Sequence, residues 1–191
     1  MALDSSSRIT GRQCLKAGVA GVVLVATMTA AASAVVFHAR DEALKLAFPD
    51  ADRVETRDLF LTAEQRSAIE ERAKAKLESE LLTVYVGHRG DSVIGYAMLD
   101  THVVRTLPET FMIVLGPEGQ VTGTYLLAFY EPTEYMPSER WLQQFKDKKQ
   151  ADDLRVGRGI AGITGSTLTS HAVSAALRRA LAIYAVMLRS E

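Results

Sequence analysis

The segment Gly162-Ile163-Thr164-Gly165-Ser166-Thr167-Leu168-Thr169-Ser170 sets hydroxyls and glycines directly before a long apolar helical pattern. Gly165 lets a large group come close to the backbone. Thr167 supplies a hydroxyl. The free N–H groups at the start of the following helix favour a phosphate electrostatically. The chemistry that suits these residues is the anchoring of a phosphate. The same residues also read as an ordinary Ser/Thr-rich helix cap.

Other constellations are weaker. Ser170 and His171 are adjacent, so on a helix they point in different directions and do not form a nucleophile–base pair. Glu109, Glu118, Glu131 and Glu134 have no spacing that pairs two carboxylates for acid–base work; they read as turn and surface acids. His38, His88, His102 and His171 lack metal-ligand spacing and read as surface or hydrogen-bonded histidines. The single cysteine, Cys14, excludes an internal disulfide and a CxxCH haem motif. Electron transfer would therefore need an added organic cofactor. With 22 Lys plus Arg against 23 Asp plus Glu, no charge excess points to nucleic acid. The basic run Lys146 to Lys149 reads as a solvated helix end.

The elements that must position these residues follow from patterning. Residues 17–37 carry no charge, follow Arg8, Arg12 and Lys16, and precede Asp41 and Glu42. This predicts a transmembrane helix with residues 1–16 in the cytoplasm and the rest of the chain across the membrane. A cleaved signal peptide is the competing reading, since Ala32-Ser33-Ala34 fits an A-x-A site. Residues 38–80 read as a charged helical connection, with a capped helix start at Thr62-Ala63-Glu64-Gln65. From residue 81 to 191 the pattern is that of one domain. Strand-like runs at Thr83–Gly87, Val93–Leu99, Phe111–Leu115 and Val121–Phe129 are joined by short turns, Gly116-Pro117-Glu118-Gly119 the strongest among them. Helices are expected at Ser138–Phe145 and from about Ser170 to Leu188. The fold class is α+β, an antiparallel sheet packed with helices and preceded by the membrane helix.

Thr164-Gly165-Ser166-Thr167-Leu168-Thr169-Ser170 resembles the S/T-G-A-T-x-[S/T] flavinylation signature of the FMN-binding domain family. That family includes the G and C subunits of the Rnf and sodium-translocating NADH:quinone reductase complexes. The strand–GPEGQV–strand hairpin (Ile113 to Leu127), the following Glu131-Pro132, the Trp141-Leu142-Gln143-Gln144-Phe145-Lys146 helix, and Ala172-Val173 with Arg178-Arg179 fall in the family's order. The resemblance covers about residues 80–188 and implies a twisted, half-barrel-like sheet. It implies FMN joined to Thr167 by a phosphodiester installed by a flavin transferase, with Thr164, Gly165, Ser166, Leu168 and Thr169 around it and Glu131 near the ring. It also implies an electron carrier on the periplasmic side of a bacterial inner membrane, working with other subunits of a membrane electron-transfer complex. The chain departs from the family at Ala161, where Asp is common, at Ser166, where Ala is usual, and after Glu131. The first departure motivates the alternative of a structural or assembly subunit that keeps the fold without flavin.

Overall fold

The structure is a computed structural model that describes residues 35–36 and 38–189. Most of the expected membrane helix lies outside the described residues. Its last part differs from expectation: Val35–Val36 form a strand, β1, paired with Phe129 and Ala128. Two β-branched residues suit a sheet edge better than the end of a helix.

The remaining elements are α1 (Arg40–Ala47), β2 (Arg53–Phe60), α2 (Ala63–Ala73), β3 (Leu81–Arg89), β4 (Ser92–Val103), β5 (Pro108–Leu115), β6 (Val121–Phe129), α3 (Glu139–Leu142) and α4 (Thr167–Ile183). These strands form one sheet in the order β1-β6-β5-β4-β3-β2, and every pairing is antiparallel. The fold is α+β.

Strand alternation gives the sheet two apolar faces. Val84, Val86, Tyr96, Met98, Phe111, Ile113 and Leu115 face a core completed by α2 and α4. Tyr85, Ala97, Met112 and Val114 face the other side, where α1 and Phe48 cover them. Helix α4 is long and apolar enough to cross a bilayer, together with the π-helical turn Tyr184–Leu188 that continues it. Its apolar side nevertheless packs on the sheet, with Val173, Ala176, Leu177, Ala180 and Leu181 buried.

The helical reading of residues 38–80 holds at α1 and α2 and fails between them. Thr62 and Gln65 form a reciprocal capping box at the start of α2, as expected. Arg53–Phe60, however, pairs along its whole length with β3. Its charges misled the helical reading: on an edge strand, charged side chains such as Arg57 and Glu55, joined by a 2.6 Å ion pair, discourage pairing with other chains.

Candidate functional site

Several segments converge near the start of α4. A turn closes with the Ser166 N–H donating to the Ile163 carbonyl at 3.0 Å, and Gly165 takes a left-handed φ of 80°. Helix α4 then begins at Thr167, three residues before the expected start. Ser166 sits at the N-cap, but its hydroxyl does not cap the helix. It donates instead to the Tyr135 carbonyl at 2.6 Å, tying the signature to the loop after β6. The N–H groups of the first turn are thereby left without a capping side chain among the described residues, the arrangement that favours an anion. Ser170 secures the turn from behind: its hydroxyl donates to the Ser166 carbonyl at 2.9 Å and accepts from the Ile163 N–H at 2.9 Å.

The expected site residues thus divide. Thr164, Gly165, Thr167 and Leu168 are exposed, whereas Ser166 and Thr169 are buried. Open space surrounds Gly165: a Cβ built there meets nothing within 4 Å. Trp141 and Gln144 fix the approach to the turn, with the indole N–H donating to the Ala161 carbonyl at 2.7 Å and the Ala161 N–H donating to Gln144 Oε1 at 2.9 Å.

A shallow cavity of about 240 Å³ opens beside the turn, lined by Arg105, Tyr135 and residues 165–169. Arg105 had no signal in the sequence. It lies in the turn between β4 and β5, its guanidinium 4.9 Å over the Tyr135 ring. Among the described residues it is the only charged one lining this cavity. Glu131 holds that turn in place. Its side chain is almost wholly buried, and Oε1 accepts the backbone N–H groups of Arg105, Thr106 and Leu107 at 3.1, 2.8 and 2.9 Å. These bonds, the one from Thr106 foremost, hold its carboxyl below the usual carboxylate range against the effect of burial. Glu131 does not line the cavity and reaches it through Arg105.

These arrangements suit a bulky phosphate ester: an exposed hydroxyl, open space at a glycine, uncapped N–H groups and one arginine. Residues 107–182 match the model of the FMN-binding domain family. The G subunit of the Na⁺-translocating ferredoxin:NAD⁺ oxidoreductase complex of Acetobacterium woodii is 28% identical over 116 residues, covering 55% of this chain and 56% of that protein. The chain therefore spans about half the length of this curated relative. The crystal structure of Shewanella oneidensis NqrC matches with a TM-score of 0.48 at 15% identity, over 70% of this chain and 80% of that one. Over residues 107–182, less than half of its length, the chain is thus similar to the FMN-binding domain family.

Proposed function

We propose that this chain is an electron-transfer flavoprotein with FMN joined to Thr167 by a phosphodiester, working with other subunits of a membrane redox complex. The observation that carries the reading is the exposed Thr167 at the head of α4, beside open space at Gly165 and Arg105 and within the family match. FMN would supply the redox chemistry. The chain binds, orients and tunes it. Thr164, Gly165 and Leu168 border the attachment point, Ser166 and Thr169 shape it from beneath, and Arg105, set by Glu131, faces the phosphate. Attachment calls for a flavin transferase as a maturation partner. The apolar residues before Val35 would anchor the chain in the inner membrane lipid, with residues 1–16 cytoplasmic and the FMN-binding domain periplasmic.

Thr167→Val tests the attachment. Protein made in a host with the transferase should fluoresce in a denaturing gel under ultraviolet light, and the variant should not, while its unfolding transition stays within about 0.5 kcal/mol, as is usual for an exposed substitution. Fluorescence retained by Thr167→Val would show that the flavin sits elsewhere. A wild-type protein without visible flavin absorbance would favour the structural-subunit alternative that Ala161 motivates.

A further inference from the structure

Beside a second cavity lies a cluster of buried charges that cofactor attachment does not use. His102 Nδ1 is 2.7 Å from Asp100 Oδ1, and Nε2 is 2.7 Å from Glu109 Oε1. Arg179 of α4 donates to Asp100 from Nη2, at 2.7 and 2.8 Å, and from Nε at 3.0 Å. The imidazole stacks on Phe111. Both ring nitrogens face carboxylates. A neutral imidazole donates from only one, so the ring is held as the doubly protonated cation. The four side chains then sum to zero charge.

One atom in this cluster is unmatched. Glu109 is completely buried, and its Oε2 has no hydrogen-bond partner among the described residues. Such an oxygen is costly as part of a buried carboxylate and less costly in the neutral acid, because protonation removes the buried charge. The charges that act on Glu109 come from His102 and Asp100 on β4 and Glu131 after β6, with Arg179 of α4 joined to the cluster through Asp100. Burial, reinforced by the charges of Glu131 and Asp100, pushes the Glu109 carboxyl up against the opposing pull of His102. Glu131, which already acts on Glu109 in this way, is the residue that holds the Arg105 turn at the cavity beside Thr167.

We propose that Glu109 is a redox-linked proton acceptor, whose Oε2 binds one proton from solvent when negative charge arrives at the flavin site. The electrons come from an external one-electron donor and stay on the flavin. The proton forms a new O–H bond at Oε2, and no bond in the protein breaks. The His102 N–H bond to Oε1 remains, and the cluster passes from zero to one positive charge, offsetting the charge gained beside it. The second cavity, of about 420 Å³ and lined in part by Asp100 and Arg179, brings solvent to the outer end of the cluster. This proposal rests on the flavin reading of Thr167.

The test uses the full chain in membranes, made with the transferase and checked first by in-gel fluorescence. The flavin midpoint potential is measured against pH for wild type and Glu109→Gln, with dithionite as the donor. The two curves should coincide at acid pH, where Glu109 is already protonated, and separate as pH rises, with the wild type falling below the variant. A constant offset at every pH, or superposed curves, overturns the proposal and leaves the flavin reading intact. Should Glu109→Gln fail to fold, infrared difference spectra of ¹³C-glutamate-labelled wild type on reduction replace it. A new protonated-carboxyl band is expected, and its absence overturns the proposal. In flavin-free Thr167→Val, carbon NMR should find one glutamate titrating above the ordinary carboxylate range. If none does, the assignment fails whatever the flavin does. Absence of in-gel flavin in the wild type overturns both readings.

Discussion

Two glycines with nearly the same backbone conformation sit in opposite surroundings. Gly119, in the hairpin between β5 and β6, has φ 78°, and Gly165, before α4, has φ 80°. A Cβ on Gly119 would lie 2.1 Å from the Tyr184 ring, whose hydroxyl donates to the Pro117 carbonyl at 2.8 Å. A Cβ on Gly165 would meet nothing. Both glycines satisfy a turn that L-residues enter at a cost. At Gly119 the space that the missing side chain leaves is filled by the protein's own ring. At Gly165 it stays open, beside an exposed hydroxyl and an arginine. Open space alone does not set Gly165 apart, since Gly90 and Gly157 are left-handed and equally open; what sets it apart is the exposed Thr167 hydroxyl and Arg105 beside it.

The largest expected effect comes from breaking the closed turn. Gly119→Ala adds left-handed strain and forces Tyr184 out of its place, for a loss of about 2–4 kcal/mol. Urea unfolding measures it, and a change within about 0.5 kcal/mol would mean that Tyr184 yields freely. Flavin attachment in the folded fraction should be unchanged, because the hairpin does not line the cavity beside Thr167.

The buried cluster comes next, through pH. Burial alone would lower the His102 imidazole, but hydrogen bonds and charge from Asp100 and Glu109 overcome it and hold the group up at about 9. Its folded value thus lies above the ordinary 6.5. The stabilisation is therefore fully present below pH 6.5 and is lost as pH rises through about 9. His102→Gln should cost up to about 3 kcal/mol near neutrality, and the gap to wild type should close toward pH 9 and above. A gap that does not change with pH would assign His102 a packing role only.

Much of this comparison was legible before the fold. Gly116-Pro117-Glu118-Gly119 between two β-branched runs fixes a hairpin by local chemistry alone. The Thr62–Gln65 capping box is equally local, and the structure has it. The signature around Thr167 could be read because its residue types and order stand together in the chain. What stayed hidden depends on distant residues meeting. Arg105 reaches the signature only because Glu131, 26 residues away, organises its turn. Glu109 read as a turn or surface acid and His102 as a surface or hydrogen-bonded histidine, and only the β4–β5 pairing puts them opposite each other. Arg53–Phe60 looked helical because edge strands carry the charges that exposed helices also carry.

Glu131 offers an intermediate effect that separates holding a loop from tuning a cofactor. Glu131→Ala leaves three backbone N–H groups without an acceptor, and it should cost about 2 kcal/mol, since part of that loop rehydrates. Glu131→Gln keeps an acceptor oxygen and should cost about 1 kcal/mol. Denaturant titration ranks the two. Equal losses would mean that the charge of Glu131, and not its contacts with residues 105–107, is what matters.

The smallest stability effect belongs to the open turn, and there the comparison is tested most directly. Gly165→Ala meets no neighbour, so only the left-handed backbone opposes it, at about 1 kcal/mol. By stability alone it is the milder of the two glycine substitutions. By function it should be the more severe: its methyl group enters the space beside Thr167 that the proposed cofactor has to approach. In-gel flavin fluorescence should fall several-fold in Gly165→Ala while the unfolding midpoint moves only slightly. Gly119→Ala should show the reverse, with a large shift in the midpoint and normal flavin per folded molecule. If Gly165→Ala carries a full complement of flavin, the open space at that turn is not the route of approach, and the cofactor must reach Thr167 from the Arg105 side of the cavity.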